Sequence, residues 1–209
     1  MTFKKLPRSF YLRPTLTVAK ELLGKYLVRR INKNLIVGKI VEVEAYLGEN
    51  DPASHAYRGR TKRNDVMFWK GGHLYVYFTY GMHFCANIVT EDLNKGRAVL
   101  LRAIEPIKGI DTMIRNRKLK WSNGVLEKWN TNELINLTNG PAKLCEAFGL
   151  SREQNGTDLC GNEIFLAQGD KISRSKIATT KRIGIKNGAE KKWRFYLCIN
   201  PFISKNKNL

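Results

Sequence analysis

The chain has 209 residues, 37 Lys and Arg against 18 Asp and Glu, a net charge of +19 and 43% hydrophobic residues. This is enough apolar material for one sizeable core, because a chain of this length buries roughly 70% of its surface on folding; wholesale disorder is excluded. No run of about 18 apolar residues occurs, so no transmembrane helix is expected, and residues 1–16 lack the continuous apolar stretch of a secretory signal.

Residues 15–24 (TLTVAKELLG) read as a short helix, with Thr15 as its cap and Gly24 as its stop. Residues 25–30 and 35–47 read as strands. In the second, Val41, Val43 and Ala45 point one way and Glu42, Glu44 and Tyr46 the other. If the first set packs on a core, the second lines a surface or a cleft. A carboxylate held in a cleft can act as a general base on water; spacing alone favours a solvated strand edge. A polar turn follows, ending in His55, and then Arg58, Arg60, Lys62 and Arg63 place four cations within six residues. Such a loop can grip successive phosphates.

Residues 73–79 and 84–90 are apolar, aromatic-rich runs that predict a hairpin with its tip at Tyr80-Gly81-Met82-His83. Tyr75 and Tyr77 share a face of the first run. Large apolar side chains at a hairpin tip have little core to enter, so Tyr80 and Met82 suit insertion between base pairs. Asn87 and Arg102 interrupt apolar runs, and a buried amide or guanidinium must be hydrogen-bonded. Each is therefore a network member or a ligand reader; Arg102 reads first as structural and Asn87 stays open. Residues 98–104 form another strand, and residues 110–117 and 133–137 read as helical. The segment 118–132 reads as a surface excursion. Gly140-Pro141 opens a helix over 142–148 with Gly149 as its stop. Its free N–H groups and Lys143 offer a phosphate site, or Lys143 is a solvated first-turn residue. Residues 164–168, 182–185 and 193–199 read as closing strands. The sum is a single α+β domain over residues 1–209, since strands follow one another too often for βαβ alternation.

Charge is distributed unevenly. Residues 1–40 and 111–209 each carry +9, whereas residues 41–110 carry only +1. A strongly basic chain points to a polyanionic partner, because clustered cations release counterions from nucleic acid. The four cysteines and three histidines show no paired metal-ligand spacing, so free thiols in a reducing cytosol and no metal are expected. No heptad or apolar stripe suggests assembly, and a monomer is expected.

The segments Gly38–Gly48, Asp51–His55, Arg60–Asn64, Leu74–Met82, Cys85–Asn87, Val99–Pro106, Asn139–Leu144, Arg182–Gly184 and Trp193–Tyr196 together resemble the alkyladenine (3-methyladenine) DNA glycosylases, over residues from about 10 to 203. The resemblance implies a compact mixed domain with a curved, mainly antiparallel sheet, flanking helices and a protruding β-hairpin. By position, Glu44 falls on the family's catalytic acid and Arg102 on an arginine beside the attacking water. Tyr46, His55 and Tyr77 fall on residues that contact the flipped base, and Asn87 on the one that crowds the guanine amino group. Tyr80 falls on the residue that fills the vacated stack; Arg60, Arg63 and Lys143 fall where the family touches phosphates. Phe68-Trp69-Lys70 departs from the smaller residues of relatives, and residues 107–138 carry no alignable motif. The implied activity is hydrolysis of the bond between a damaged purine and its deoxyribose in double-stranded DNA, without cofactor or strand cleavage. The alternative is a non-catalytic nucleic-acid-binding module of the same fold.

Overall fold

The computed structural model describes residues 3–32, 34–119 and 131–204. Among them are helices α1 (Arg8–Tyr11), α2 (Thr15–Leu22), α3 (Ile110–Asn116), α4 (Thr131–Thr138) and α5 (Pro141–Phe148). The strands are β1 (Tyr26–Ile31), β2 (Asn34–Leu47), β3 (Leu74–Thr79), β4 (His83–Thr90), β5 (Arg97–Lys108), β6 (Ile164–Ala167), β7 (Ile177–Thr180) and β8 (Arg194–Leu197). They form one open sheet in the order β3-β4-β5-β2-β1-β6, with β8 on β2 and β7 on β8, every described pair antiparallel. The expected α+β class holds. No helix among the described residues is long and apolar enough to cross a membrane.

The 14-residue strand β2 organises the rest. Its first half pairs with β1 on one side, its second half with β8, and β5 runs along the other side. The alternation along it changes phase midway. Ile36 and Ile40 enter the main core, then Val43 and Ala45 do so; Val41 does not, contrary to the reading that grouped it with 43 and 45. The register explains the shift. Ile40 faces Ile104 and Glu42 faces Ala103, which leaves Val41 as an extra residue; Val43 then faces Leu101, which leaves Arg102 as an extra residue on β5. Two opposed bulges restore the register while turning both strands. In consequence Glu42, Glu44 and Arg102 share one face of the sheet.

The main core lies between the other face and the helices. Val18 and Leu22 of α2, Met113 and Ile114 of α3, Leu137 of α4 and Leu144 and Phe148 of α5 pack there against Leu74, Val76, Ile88, Val99 and Leu101. Each such fully buried side chain contributes roughly 1.5–3 kcal/mol. α5 starts at Pro141, and Gly149 closes it at φ +63° with its N–H on the Cys145 and Glu146 carbonyls, as the Pro and Gly positions require.

Other boundaries differ from the sequence reading. Thr15 is the first helical residue, and Pro14 stands at the cap position. The Thr15 hydroxyl instead donates to Glu91 at 2.6 Å. Residues 182–185 form no strand; the closing strand is β7, at residues 177–180. The reason is that Arg182 turns inward and the Ile183 N–H donates to a carboxylate rather than to a ladder, with Gly184 at φ +74°. Most of the expected excursion at 118–132 lies outside the described residues.

Candidate active site

On the face away from the main core, one row of side chains crosses five strands. Tyr75 of β3 faces Asn87 of β4, Asn87 faces Leu100 of β5, Leu100 faces Glu44 of β2, and Glu44 faces Arg194 of β8. A cavity of about 250 Å³ opens along this row. Glu44, Tyr46, His55, Tyr75, Tyr77, Tyr80, Asn87 and Arg102 line it, together with Ala53, Cys85, Pro141 and Ile183. The pocket falls just below the ~300–1,000 Å³ of sites for drug-sized ligands, which suits one heterocycle rather than a nucleotide.

Glu44 and Glu42 are each 0% exposed, so the expected solvated edge is wrong for both. β8 covers β2 at these residues, and a buried charge persists only when partnered. Glu44 Oε1 accepts the Ile183 N–H at 2.8 Å and lies 3.3 Å from Arg102 Nη1. Its Oε2 accepts the Tyr46 hydroxyl at 3.0 Å. Burial first, then the Glu44 charge, pushes the Tyr46 phenol well above its ordinary value, so it stays a donor. Burial works against the Arg102 charge, but Glu44 and Glu42 outweigh it and raise its pKa. Arg102 is thus both network member and cavity wall.

The aromatic wall is built from β3 and the turn before it. His55 meets Tyr77 edge-on with centroids 4.4 Å apart, and its Nδ1 lies 3.0 Å from the Tyr75 hydroxyl. Desolvation among these rings, then the Arg63 charge, pushes the imidazole below its usual value, which keeps it neutral at pH 7. Burial raises the Tyr75 phenol to about 12, and Tyr77 rises too, with its hydroxyl on the Cys85 thiol. Asn87 is 5% exposed, and its amide donates to the Tyr75 carbonyl at 3.2 Å.

At the rim stands the β3–β4 hairpin. Tyr80 and Gly81 have φ of +51° and +68°, and the Met82 N–H closes the turn on Thr79 O at 3.3 Å. Left-handed φ costs a residue with a Cβ roughly 1–2 kcal/mol. Yet Tyr80 is 84% and Met82 69% exposed, so no packing in the protein offsets that strain. The hairpin turn requires both left-handed φ values, so it is the exposure of two large apolar side chains, not the strain, that points to a use outside the fold.

The basic residues are not equivalent. Arg60 is already paired with Asp65 at 2.7 Å, which partly satisfies a charge read as a phosphate contact. Arg63 reaches the Phe78 carbonyl at 3.3 Å and ties its loop to the hairpin. Lys143 donates to Asn139 at 2.7 Å, on the first turn of a helix whose Pro141 lines the cavity. Among the described residues no group of three or more His, Cys, Asp or Glu could hold a metal, and the four cysteines are free thiols.

Sequence reasoning missed the loop that completes the site. Arg182 holds Asp51 through both terminal guanidinium nitrogens, Nη1 and Nη2, at 2.6 and 2.7 Å, between the rings of Tyr46 and Trp193. That clamp sets the Ile183 peptide on Glu44. Arg194 and Ser204, which converge on Glu42, carried no sequence signal of their own.

The family model described as "Methylpurine-DNA glycosylase (MPG)" matches residues 9–201. A protein of Carboxydothermus hydrogenoformans with the name "Putative 3-methyladenine DNA glycosylase" is 49% identical over 201 residues, covering 96% of this chain and 98% of its own length. Proteins of the same name from Clostridium acetobutylicum and Alkaliphilus oremlandii are 48% and 46% identical, each over 96% of this chain and 97% and 99% of their own lengths.

Proposed function

The chain belongs to the methylpurine-DNA glycosylase family, and we propose that it removes alkylated purines from double-stranded DNA by extruding the base and hydrolysing its glycosidic bond with water. The observation that carries this reading is Glu44 at the base of an aromatic cavity, with Arg102, Tyr46 and the Ile183 N–H on its two oxygens. His55 and Tyr77 touch, so they act as one wall, and a planar base stacks between that wall and Tyr46. A neutral His55 does not repel a cationic alkylated purine. Asn87 excludes an exocyclic amino group at its side of the slot.

The chemistry asks little of the leaving group. A purine alkylated at N3 or N7 is already positive, and the electron pair of the bond to C1′ neutralises it as it departs. Water attacks C1′, Glu44 takes its proton, and the carboxylate offsets the charge that develops on the sugar. Glu44 is fully covered, so water reaches it by displacing one of its donors as the lesion seats. No lysine lines the cavity among the described residues, which disfavours an amine nucleophile. Arg63 and Lys143 flank the mouth for backbone phosphates, and the protein acts as a monomer.

Incubation with methylated duplex DNA tests the reading. Free methylated purine is expected, with strand breaks only after mild alkali and no adduct trapped by borohydride. A mobility shift without base release would support the binding-module alternative, and a borohydride adduct would refute the water route.

The tip gives a separate prediction. Replacing Tyr80 by Gly removes the ring and relieves the left-handed strain, so the melting midpoint holds or rises. Affinity for a duplex carrying a stable lesion analogue falls by about tenfold to a hundredfold, the scale of one lost base–aromatic stack of ~1–3 kcal/mol. Unchanged affinity in a binding titration would show that the ring does not insert.

A further inference from the structure

Glu42 carries no role in the proposed reaction, yet it is among the most heavily bonded side chains in the protein. Its Oε1 accepts Arg102 Nε at 2.9 Å, Arg194 Nε at 2.7 Å and the Ser204 hydroxyl at 2.7 Å. Its Oε2 accepts the Ser204 N–H at 2.5 Å. The Ser204 hydroxyl in turn accepts Arg102 Nη2 at 3.2 Å. Arg102 therefore spends Nε on Glu42, Nη2 on Ser204 and Nη1 on Glu44.

The distribution has a consequence for the base. A guanidinium free to turn binds a carboxylate through two parallel N–H bonds, and Arg102 so placed on Glu44 would cover both oxygens. Here Arg102 sits in a bulge, unpaired with β2, so the ladder does not fix its backbone as it fixes Leu100. Its direction is set by side chains. Glu42 and Ser204 hold two of its three nitrogens, and only one faces Glu44. Arg194, from β8, binds the same Glu42 oxygen at 2.7 Å and shares its single charge, so that Glu42 does not draw Arg102 away entirely.

We infer that Ser204 and Glu42 form a latch that positions Arg102, so that Glu44 meets it through a single nitrogen and keeps Oε2, whose one donor is the Tyr46 hydroxyl, clear of the guanidinium and within reach of a water. Ser204 lies 102 residues from Arg102 in sequence, so the segment after β8 becomes part of the active-site support. The inference rests on the reading of Glu44 and Arg102 given above.

The test is a mutant cycle in single-turnover base release from methylated duplex DNA, with lesion affinity measured alongside. In Ser204→Ala, release is expected to slow by about tenfold, the value of one charge-assisted hydrogen bond, with affinity within about twofold. Ser204→Thr, which keeps the hydroxyl, restores the rate. In an Arg102→Ala background, Ser204→Ala has no further effect, because the latch has nothing to position. An equal slowing in both backgrounds, an unchanged rate, or a melting loss with normal rate overturns the inference. If Arg102→Ala alone turns over at the unmodified rate, the catalytic reading of Arg102 fails instead, whatever Ser204 does.

Discussion

Glu44→Gln is expected to slow base release about 10³-fold or more while leaving lesion binding intact. The substitution keeps shape and most contacts. An amide oxygen at the Oε1 position still accepts the Ile183 N–H, now held at 2.8 Å, and the amide nitrogen meets the Tyr46 hydroxyl, which can turn to accept. What is lost is proton acceptance and negative charge beside the sugar, the two contributions that general-base and electrostatic catalysis make, of about 10²–10⁴ each. Arg102 keeps Glu42 as its partner at 2.9 Å, so no guanidinium is stranded. The site becomes one unit more positive, which favours rather than hinders phosphate approach. Glu44→Ala is the poorer test, since it also leaves the Ile183 N–H and Arg102 Nη1 without an acceptor. Single-turnover kinetics against binding to a non-hydrolysable lesion duplex separates rate from affinity. Near-normal release by the Gln variant would end the role given to Glu44.

How far the sequence disclosed this site follows from how each residue is held. The alternation Glu42-Val43-Glu44-Ala45-Tyr46 was readable because strand period alone puts 42, 44 and 46 on one face. The hairpin was readable because two aromatic runs flank Gly81. Burial of the two glutamates was not readable. It depends on β8, which reaches β2 from some 150 residues away in sequence, and on bulges that no local pattern announces. The error at Val41 has the same origin, because a bulge changes the phase of the alternation without changing composition. The strand expected at 182–185 failed for a physical reason. Arg182 and Ile183 have strand-like neighbours, but their polar groups serve Asp51 and Glu44, and a backbone spent on a site is not available to a ladder. In the charged loop the four cations within six residues were readable, whereas the pairing of Arg60 with Asp65 was not.

The loop that carries Ile183 gives the largest expected effect on stability. Asp51→Asn should cost about 3–5 kcal/mol, because it leaves the Arg182 guanidinium buried without its counter-charge. Both members of that pair have side chains at 0% exposure, and Asp51 also accepts the Leu47 and Ala53 N–H groups at 3.2 and 3.1 Å. Asp51 burial thus joins the turn after β2 to the loop across the cavity. For a chain of this size the loss lowers the melting midpoint by about 6–20 °C, at ~2–4 °C per kcal/mol. Asp65→Asn is the control: its Arg60 pair is exposed on both sides, and such pairs contribute only about 0–1 kcal/mol. Urea unfolding of the two variants should therefore differ severalfold in ΔΔG. A further Arg182→Met substitution in the Asp51→Asn protein should recover part of the loss, since an apolar side chain there strands no charge. That double variant should nevertheless release base slowly, because the Ile183 peptide loses the clamp that sets it on Glu44. A stability change below about 1 kcal/mol for Asp51→Asn, on the scale of an exposed pair, would mean that the cavity loop is held by its other contacts and that Arg182 is not its anchor.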